Sequence, residues 1–123
     1  MIPPALPLAT DRRYRPSDRL RRRSEFLRVQ GGRKFSTHRL IIVAAPAAGE
    51  GPRFGVTVSK KVGCSPVRNQ VKRWLREAFR LNKAAWPRHL DFVAIARGPA
   101  ATAGFRALER DLLRWAQTAS KAP

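Results

Sequence analysis

The hydrophobic positions between residues 65 and 80 recur with the period of an α-helix. On a wheel of about 3.6 residues per turn, they gather on one side of the helix. These apolar positions are Val67, Val71, Trp74, Leu75 and Ala78. Ser65 can cap the N-terminus, and Pro66 suits the first helical position, where no backbone N–H is needed. The pattern therefore predicts a helix over residues 65–80 with one face packed against a core.

The opposite side of this helix carries a basic stripe that covers about 140° of arc. The stripe consists of Arg68, Asn69, Lys72, Arg73, Arg76 and Arg80. Like charges four residues apart destabilise a helix by about 0.2–0.5 kcal/mol per pair, so the stripe does not serve the helix itself. A solvated face is the plain alternative, but such faces usually mix signs, and Glu77 is the only carboxylate here. We interpret the stripe as a polyanion site, in which arginine pairs with phosphate oxygens and Asn69 bonds to a sugar hydroxyl or a base edge.

Residues 53–59 alternate between apolar and small or polar side chains, which predicts a half-buried strand. The apolar set is Phe54, Val56 and Val58, and the small or polar set is Gly55, Thr57 and Ser59. We expect the apolar set to face a core. The other set leaves room for a ligand to lie on the sheet.

The remaining pattern predicts two more strands and two more helices. Residues 40–45 and 91–96 are apolar, β-rich runs. A short helix capped by Ser24 is expected over residues 24–30, and a terminal helix capped by Thr102 over about 102–118. The order helix, strand, strand, helix, strand, helix indicates a small α+β fold, a two-layer sandwich with one sheet face covered by helices.

The length of 123 residues and the net charge of +18 suit a single domain with a polyanionic partner. Nucleic acid is favoured over an anionic membrane surface, because no apolar run reaches about 18 residues and no single basic amphipathic helix forms. We interpret residues 1–18 as a flexible basic arm, 19–118 as one RNA-binding domain and 119–123 as a tail. Residues 1–9 are apolar but contain three prolines and no basic start, unlike a signal peptide.

Residues that could carry out catalysis or hold a metal are sparse. His38 and His89 are the only histidines, and neither has a metal-ligand spacing or a neighbouring nucleophile motif. Cys64 is the single cysteine, so no disulfide framework or zinc cluster is expected and a cytoplasmic location is favoured. The eight carboxylates are scattered along the chain. We therefore assign no catalytic residue and no metal site to this chain.

Two linked stretches closely resemble the bacterial ribonuclease P protein component family. Residues 54–63 match the strand of that family followed by Ser-Lys-Lys, a hydrophobic residue and Gly. Residues 67–80 match its Arg-Asn-Arg helix, and Arg21-Arg22-Arg23-Ser24-Glu25-Phe26 is similar to its start. The resemblance covers about residues 20–115. It implies an α/β sandwich with a left-handed βαβ crossover, a fold shared with a ribosomal-protein domain.

The resemblance also implies a function and two sets of RNA-binding residues. The chain would be the protein subunit of ribonuclease P, which removes the 5′ leader of precursor tRNA by endonucleolytic cleavage. The catalytic RNA would be bound by Arg68, Asn69, Lys72, Arg73 and Arg76. The leader would lie in a cleft formed by Phe26, Phe35, Thr57, Ser59, Lys60 and Lys61. The RNA with its bound Mg²⁺ would perform the hydrolysis, and neither a membrane nor a further protein partner is implied.

Three positions depart from the family pattern. Gln70 stands where the third motif residue is usually arginine, which removes one charge but keeps a hydrogen-bonding side chain. Gln30 and Val43 stand where aromatics are common in the cleft. Stacking of leader bases, worth about 1–3 kcal/mol per base on an aromatic ring, is therefore expected to depend on Phe26 and Phe35.

Two other functions are compatible with a basic domain of this size. A structural RNA-binding protein of the ribosomal type would explain the charge and the stripe equally well, but not the small polar face of the strand at 53–59. An independent basic nuclease would need catalytic residues that the sequence does not offer. A ribonuclease P subunit explains all three features together.

Overall fold

The computed structural model describes residues 19–20, 22–49 and 52–121. Its helices are α1 (Arg23–Gln30), α2 (Ser65–Leu81) and α3 (Phe105–Lys121), and its strands are β1 (Arg33–Ser36), β2 (Leu40–Pro46), β3 (Phe54–Val58) and β4 (Leu90–Ala96). The α+β class and every predicted element are confirmed. Strand β1 is an addition that the sequence pattern did not predict. The arm predicted over residues 1–18 lies outside the described residues.

The four strands form one sheet in the order β1-β2-β4-β3. Strand β2 pairs antiparallel with β1 and with β4, whereas β3 pairs parallel with β4. Parallel neighbours need a crossover connection, and helix α2 supplies it between β3 and β4. This βαβ unit places the start of α2 close to the end of the edge strand β3.

The main core lies between one face of the sheet and helices α2 and α3. Its largest side chains are aromatic: Phe54, Phe79, Trp86, Phe92 and Trp115. The Phe54 and Phe79 rings stack with centroids 4.9 Å apart, and the Trp86 indole N–H donates to the Phe79 carbonyl at 3.0 Å. Val71 and Leu75 of α2 are also fully buried. These contacts fix the rotation of α2, so the predicted apolar faces of β3 and of the central helix are both confirmed.

Helix α1 packs on the other face of the sheet. A second cluster joins Val29 of α1 to Ala45, Val93 and Leu20, with Phe26 partly buried beside it. Ala45 and Val93 alternate along their strands with residues of the main core, which places them on the opposite face. The expectation that helices cover only one face is therefore corrected. Helix α1 covers part of the second face and leaves the rest open.

The three predicted helix caps are also corrected. Helix α1 begins at Arg23, and the backbone N–H of Arg22 donates to Glu25 Oε1 at 3.1 Å, so Ser24 lies inside the first turn. Helix α2 has Cys64 rather than Ser65 at its N-cap position. Thr102 ends a separate 3₁₀ turn, because Gly104 adopts a φ of 83° before α3 begins and so interrupts the helical path.

Candidate nucleic-acid interface

The basic stripe lies on the outer side of α2, opposite the main core. Asn69, Arg73 and Arg76 are exposed, and the other three members are half-exposed. Eight residues separate Arg68 from Arg76, a distance of about 12 Å along the helix axis. The stripe therefore presents several cations in a row that a sugar-phosphate backbone can follow.

Most charges of the stripe lack a carboxylate partner. Among the described residues, no ion pair holds Lys72, Arg73 or Arg76 to an acidic side chain, whereas Arg80 pairs with Glu77. Arg68 donates to Ser65 Oγ at 2.9 Å, and its Nε is buried without a hydrogen-bond partner in the described part of the chain. A buried donor without a partner costs about 1–3 kcal/mol. The stripe is therefore a positive surface that nearby carboxylates only partly neutralise, which favours the binding of an anion.

A second surface lies on the face of the sheet that α1 only partly covers. One residue from each strand forms a cross-strand row there, which we name the open row: Ser36, Ile41, Ile95 and Thr57. Ser36 is exposed and the other three are partly exposed. Three strand spacings give the row a length of about 14 Å. It offers two aliphatic side chains between two hydroxyl groups.

Phe26 of α1 borders the open row because glycine stands at position 55. A Cβ atom at Gly55 would lie 2.7 Å from the Phe26 ring, which is closer than carbon atoms can approach. The ring therefore lies directly on the backbone of β3. Thr57, two residues further along β3, has its side chain on the same face. Phe26 is partly exposed, so the residue is not fully enclosed between α1 and the sheet.

A buried carboxylate anchors α1 in this position. Asp91 is fully buried and accepts a hydrogen bond from the Arg28 side chain at 2.7 Å and another from the Arg53 backbone N–H at 2.9 Å. Arg53 also forms an ion pair with Glu25, while Arg28 donates to the Pro46 carbonyl at 2.6 Å. Glu25 and Arg28 thus hold α1 against the sheet, and they stand on either side of Phe26 in the sequence.

Three polar residues at the end of β3 join the two surfaces. Ser59, Lys60 and Lys61 are all exposed, and the lysines begin a 3₁₀ turn that leads through Gly63 to α2. Thr57, Ser59, Lys60 and Lys61 therefore follow one another along β3 and its extension, and Phe26 of α1 lies against the same strand at Gly55.

Phe35 does not join this group. It pairs with Ile42, whose side chain belongs to the main core beneath α2 and α3, and paired residues have their side chains on one face. Phe35 is therefore on the helix-covered face and Phe26 on the other. The prediction that both line one cleft is corrected, because the register of β1 sets the side of Phe35 and that strand was not predicted.

Sequence reasoning also missed several residues of the second surface. Ile41 and Ile95 lie inside apolar runs without alternation, so the sequence does not tell which of their neighbours face the helices. Asp91 sits at the start of such a run, where a carboxylate next to a strand could have signalled a buried ion pair. Its partners at positions 28 and 53 are distant in sequence and carried no signal of their own.

In the described part of the chain, no cluster of three histidine, cysteine, aspartate or glutamate side chains could hold a metal ion. His38, His89 and Cys64 are all exposed. Of the helices that the structure describes, none is long and apolar enough to cross a membrane.

Comparisons with known proteins show the family to which this chain is related. A family model described as Ribonuclease P matches residues 14–120. A ribonuclease P protein component from Syntrophus aciditrophicus is 38% identical over 98 residues, which cover 78% of this chain and 82% of that protein. Another from Paramagnetospirillum magneticum is 42% identical over 106 residues, which cover 78% of this chain and 77% of that protein.

Solved structures of ribonuclease P proteins have a similar fold to this chain. The ribonuclease P protein of Staphylococcus aureus superposes with a TM-score of 0.73 at 25% identity, covering 85% of this chain and 95% of that one. That of Thermotoga maritima superposes with a TM-score of 0.72 at 30% identity, covering 81% of this chain and 96% of that one. These matches select the ribonuclease P hypothesis over the ribosomal-type and nuclease alternatives. The chain belongs to the ribonuclease P protein component family, and it is a subunit of the ribonuclease P endoribonuclease whose partner is the ribonuclease P RNA.

Proposed function

We propose that this subunit binds two RNAs at once, the catalytic RNA through the basic stripe and the 5′ leader of precursor tRNA through the open row and its borders. The observation that carries the proposal is the placement of the two surfaces. Helix α2 packs on one face of the sheet, and the open row lies on the other. The protein thereby aligns the leader with the RNA that removes it to give the mature 5′ end of the tRNA.

The stripe suits the catalytic RNA because its contacts are charged and repeated. Arg68, Lys72, Arg73 and Arg76 supply donors for phosphate oxygens, and arginine can donate in the paired geometry that phosphate accepts. Asn69 is exposed on the same arc and can both donate and accept, which suits a ribose hydroxyl or a base edge. Gln70 is exposed beside it and offers the same chemistry without a charge.

The cleft consists of the open row, Phe26 and the two lysines that follow β3. It suits single-stranded RNA because it combines apolar and aromatic side chains, on which bases can pack, with positive charge at one end. A base can stack on Phe26 and pack against Ile41 and Ile95, contacts that every base can make. The hydroxyl of Thr57 can bond to a ribose or a base, and Lys60 and Lys61 can pair with the backbone phosphates. Such a site holds an extended leader with little dependence on its sequence.

Hydrolysis in this proposal belongs to the RNA. Mg²⁺ supplies the Lewis-acid and water-activating chemistry of phosphodiester cleavage. The described residues offer no carboxylate cluster to hold it, so we assign the metal to the catalytic RNA. We propose a cytoplasmic location and no requirement for a further protein partner.

The Phe26→Ala variant tests the cleft. We expect the holoenzyme to bind leader-bearing precursor tRNA about 5- to 150-fold more weakly, because one stacked base is worth about 1–3 kcal/mol. Binding of mature tRNA, which lacks the leader, should not change. Equilibrium binding of both tRNAs to reconstituted holoenzyme measures the difference.

Leu27→Ala is the matched control. Leu27 is the neighbouring large apolar residue of α1, is 55% exposed and lies on the side of the helix away from the sheet. It should leave both tRNA affinities unchanged. If Phe26→Ala weakened both tRNAs equally and lowered thermal stability, Phe26 would be a core residue and the cleft assignment would be wrong.

A further inference from the structure

Helix α3 carries a second row of arginines that the proposed function does not use. Arg106, Arg110 and Arg114 are all exposed and stand four residues apart, so they lie along one ridge of the helix. Arg106 is 3.5 Å from Glu109. In the described part of the chain, neither Arg110 nor Arg114 forms an ion pair. Such a run of like charges costs helix stability, as the basic stripe does, and equally indicates an anionic partner.

The arginine row leads to a cavity at the C-terminal end of α3. The next position on the same ridge is Thr118, which lines a cavity of about 460 Å³. Its walls include Trp115 and Ala119 of α3, together with Phe35 of β1 and Leu90 of β4. This size lies within the range of sites that hold a small organic group.

The chemistry of the cavity suits a base attached to a phosphate. Phe35 is partly exposed and provides aromatic surface, the almost fully buried Trp115 also lines the wall, and Arg33 and His89 stand exposed at the rim. None of the described residues that line the cavity is acidic. A planar apolar group can enter, and a phosphate attached to it meets only positive or neutral groups.

We propose that α3 is a second RNA-binding surface, where the arginine row contacts backbone phosphates and the cavity receives one unpaired base of the catalytic RNA. The choice of RNA follows from the sheet. Helices α2 and α3 pack side by side on one face, so an RNA that lies along α2 can continue over α3. The open row, where the leader is proposed to bind, is on the other face. To this extent the inference rests on the proposed role of the basic stripe.

Filling the cavity without changing its charge tests the base-binding part. Ala119→Phe adds a ring at the cavity wall, and we expect it to weaken binding to the catalytic RNA alone by about 5- to 150-fold, as expected for the loss of one stacked base. Leu27→Phe adds an aromatic ring at an exposed position of α1, on the other face of the sheet, and should have no effect on this affinity. Equal affinities for the two variants, with both folded, would overturn the base-binding cavity.

The arginine row has its own measurement. Arg114→Gln should reduce the salt slope of binding to the catalytic RNA by about 0.7–0.9, the value of one phosphate contact. Arg23→Gln removes an exposed arginine on α1, on the other face of the sheet, and should leave the slope unchanged. An unchanged slope for Arg114→Gln would show that the arginine row of α3 does not contact the catalytic RNA. Since no tRNA is present, either result is independent of the leader cleft.

Crosslinking tests the base-binding cavity without the Ala119→Phe variant, and so gives an answer even if that variant fails to fold. In a Cys64→Ser background, Thr118→Cys provides a single thiol at the cavity for a photo-crosslinker. In the holoenzyme with precursor tRNA, we expect crosslinks to an unpaired nucleotide of the catalytic RNA. Crosslinks to precursor tRNA only, or no RNA crosslink at all, would overturn the proposal.

Discussion

Raising the monovalent salt from about 50 to about 200 mM is expected to weaken binding of this protein to the catalytic RNA by roughly 10³- to 10⁵-fold. That loss corresponds to about six to ten phosphate contacts, each of which releases condensed counterions. The basic stripe and the arginine row of α3 supply enough cations for this number. The measurement is the slope of log affinity against log salt, at a Mg²⁺ concentration that keeps the RNA folded.

Two variants separate charge from stacking in the same measurement. Arg73→Ala removes an exposed cation of the stripe and should make the slope shallower by about 0.7–0.9 without lowering thermal stability. Phe26→Ala should keep the slope of the wild type, because a stacking contact releases few counterions. A nearly flat slope for the wild-type protein would mean that the stripe does not bind phosphates.

Val71→Asp is expected to remove most or all of the stability of the domain and so to lower its melting temperature strongly. Val71 is fully buried in the core between α2 and the sheet, and an unpaired carboxylate there costs more than about 4–5 kcal/mol. A domain of this size has about 5–15 kcal/mol of stability in total. Circular dichroism during thermal unfolding measures the effect.

Gln70→Asp is the matched control for this substitution. Gln70 precedes Val71 in α2 and is exposed, so the same charge should leave the fold intact and even relieve repulsion within the stripe. A Val71→Asp protein with wild-type thermal stability would show that α2 is rotated away from the described orientation.

The period of 3.6 residues was enough to predict how α2 divides between core and RNA. Val71 and Leu75 are buried and Arg73 and Arg76 exposed, as the helical wheel requires. The alternation of β3 likewise predicted its two faces. In both elements the local sequence pattern is enough to assign each side chain to the core or to the exposed face. The packing of the apolar side chains in the core stabilises the same arrangement.

Strand β1 shows where local patterns stop being informative. Its four residues, Arg33–Ser36, contain one apolar side chain, so neither period 2 nor hydrophobicity marks it as a strand. It exists because β2 offers it an edge to pair with. The face of the sheet on which Phe35 lies depends on that pairing. For this reason the assignment of Phe35 to the leader cleft was wrong.

The position of α1 is likewise a tertiary property. The Asp91 network joins residues 25, 28, 53 and 91, whose separations in sequence give no hint of contact. The network and the absence of a side chain at Gly55 place Phe26 beside the open row. The sequence predicted Phe26 as a cleft residue only through resemblance to a family, and the structure supplies the physical reason for its place.

The most direct test compares the effect of the wild-type protein on two substrates. Affinities of precursor tRNA and of mature tRNA are measured for the catalytic RNA alone and for the holoenzyme, at one salt and one Mg²⁺ concentration. The proposed cleft predicts that the protein strengthens binding of the leader-bearing tRNA by at least about 5-fold, the lower value for one stacked base, and leaves mature tRNA unchanged. An equal gain for both tRNAs would contradict leader binding by this protein.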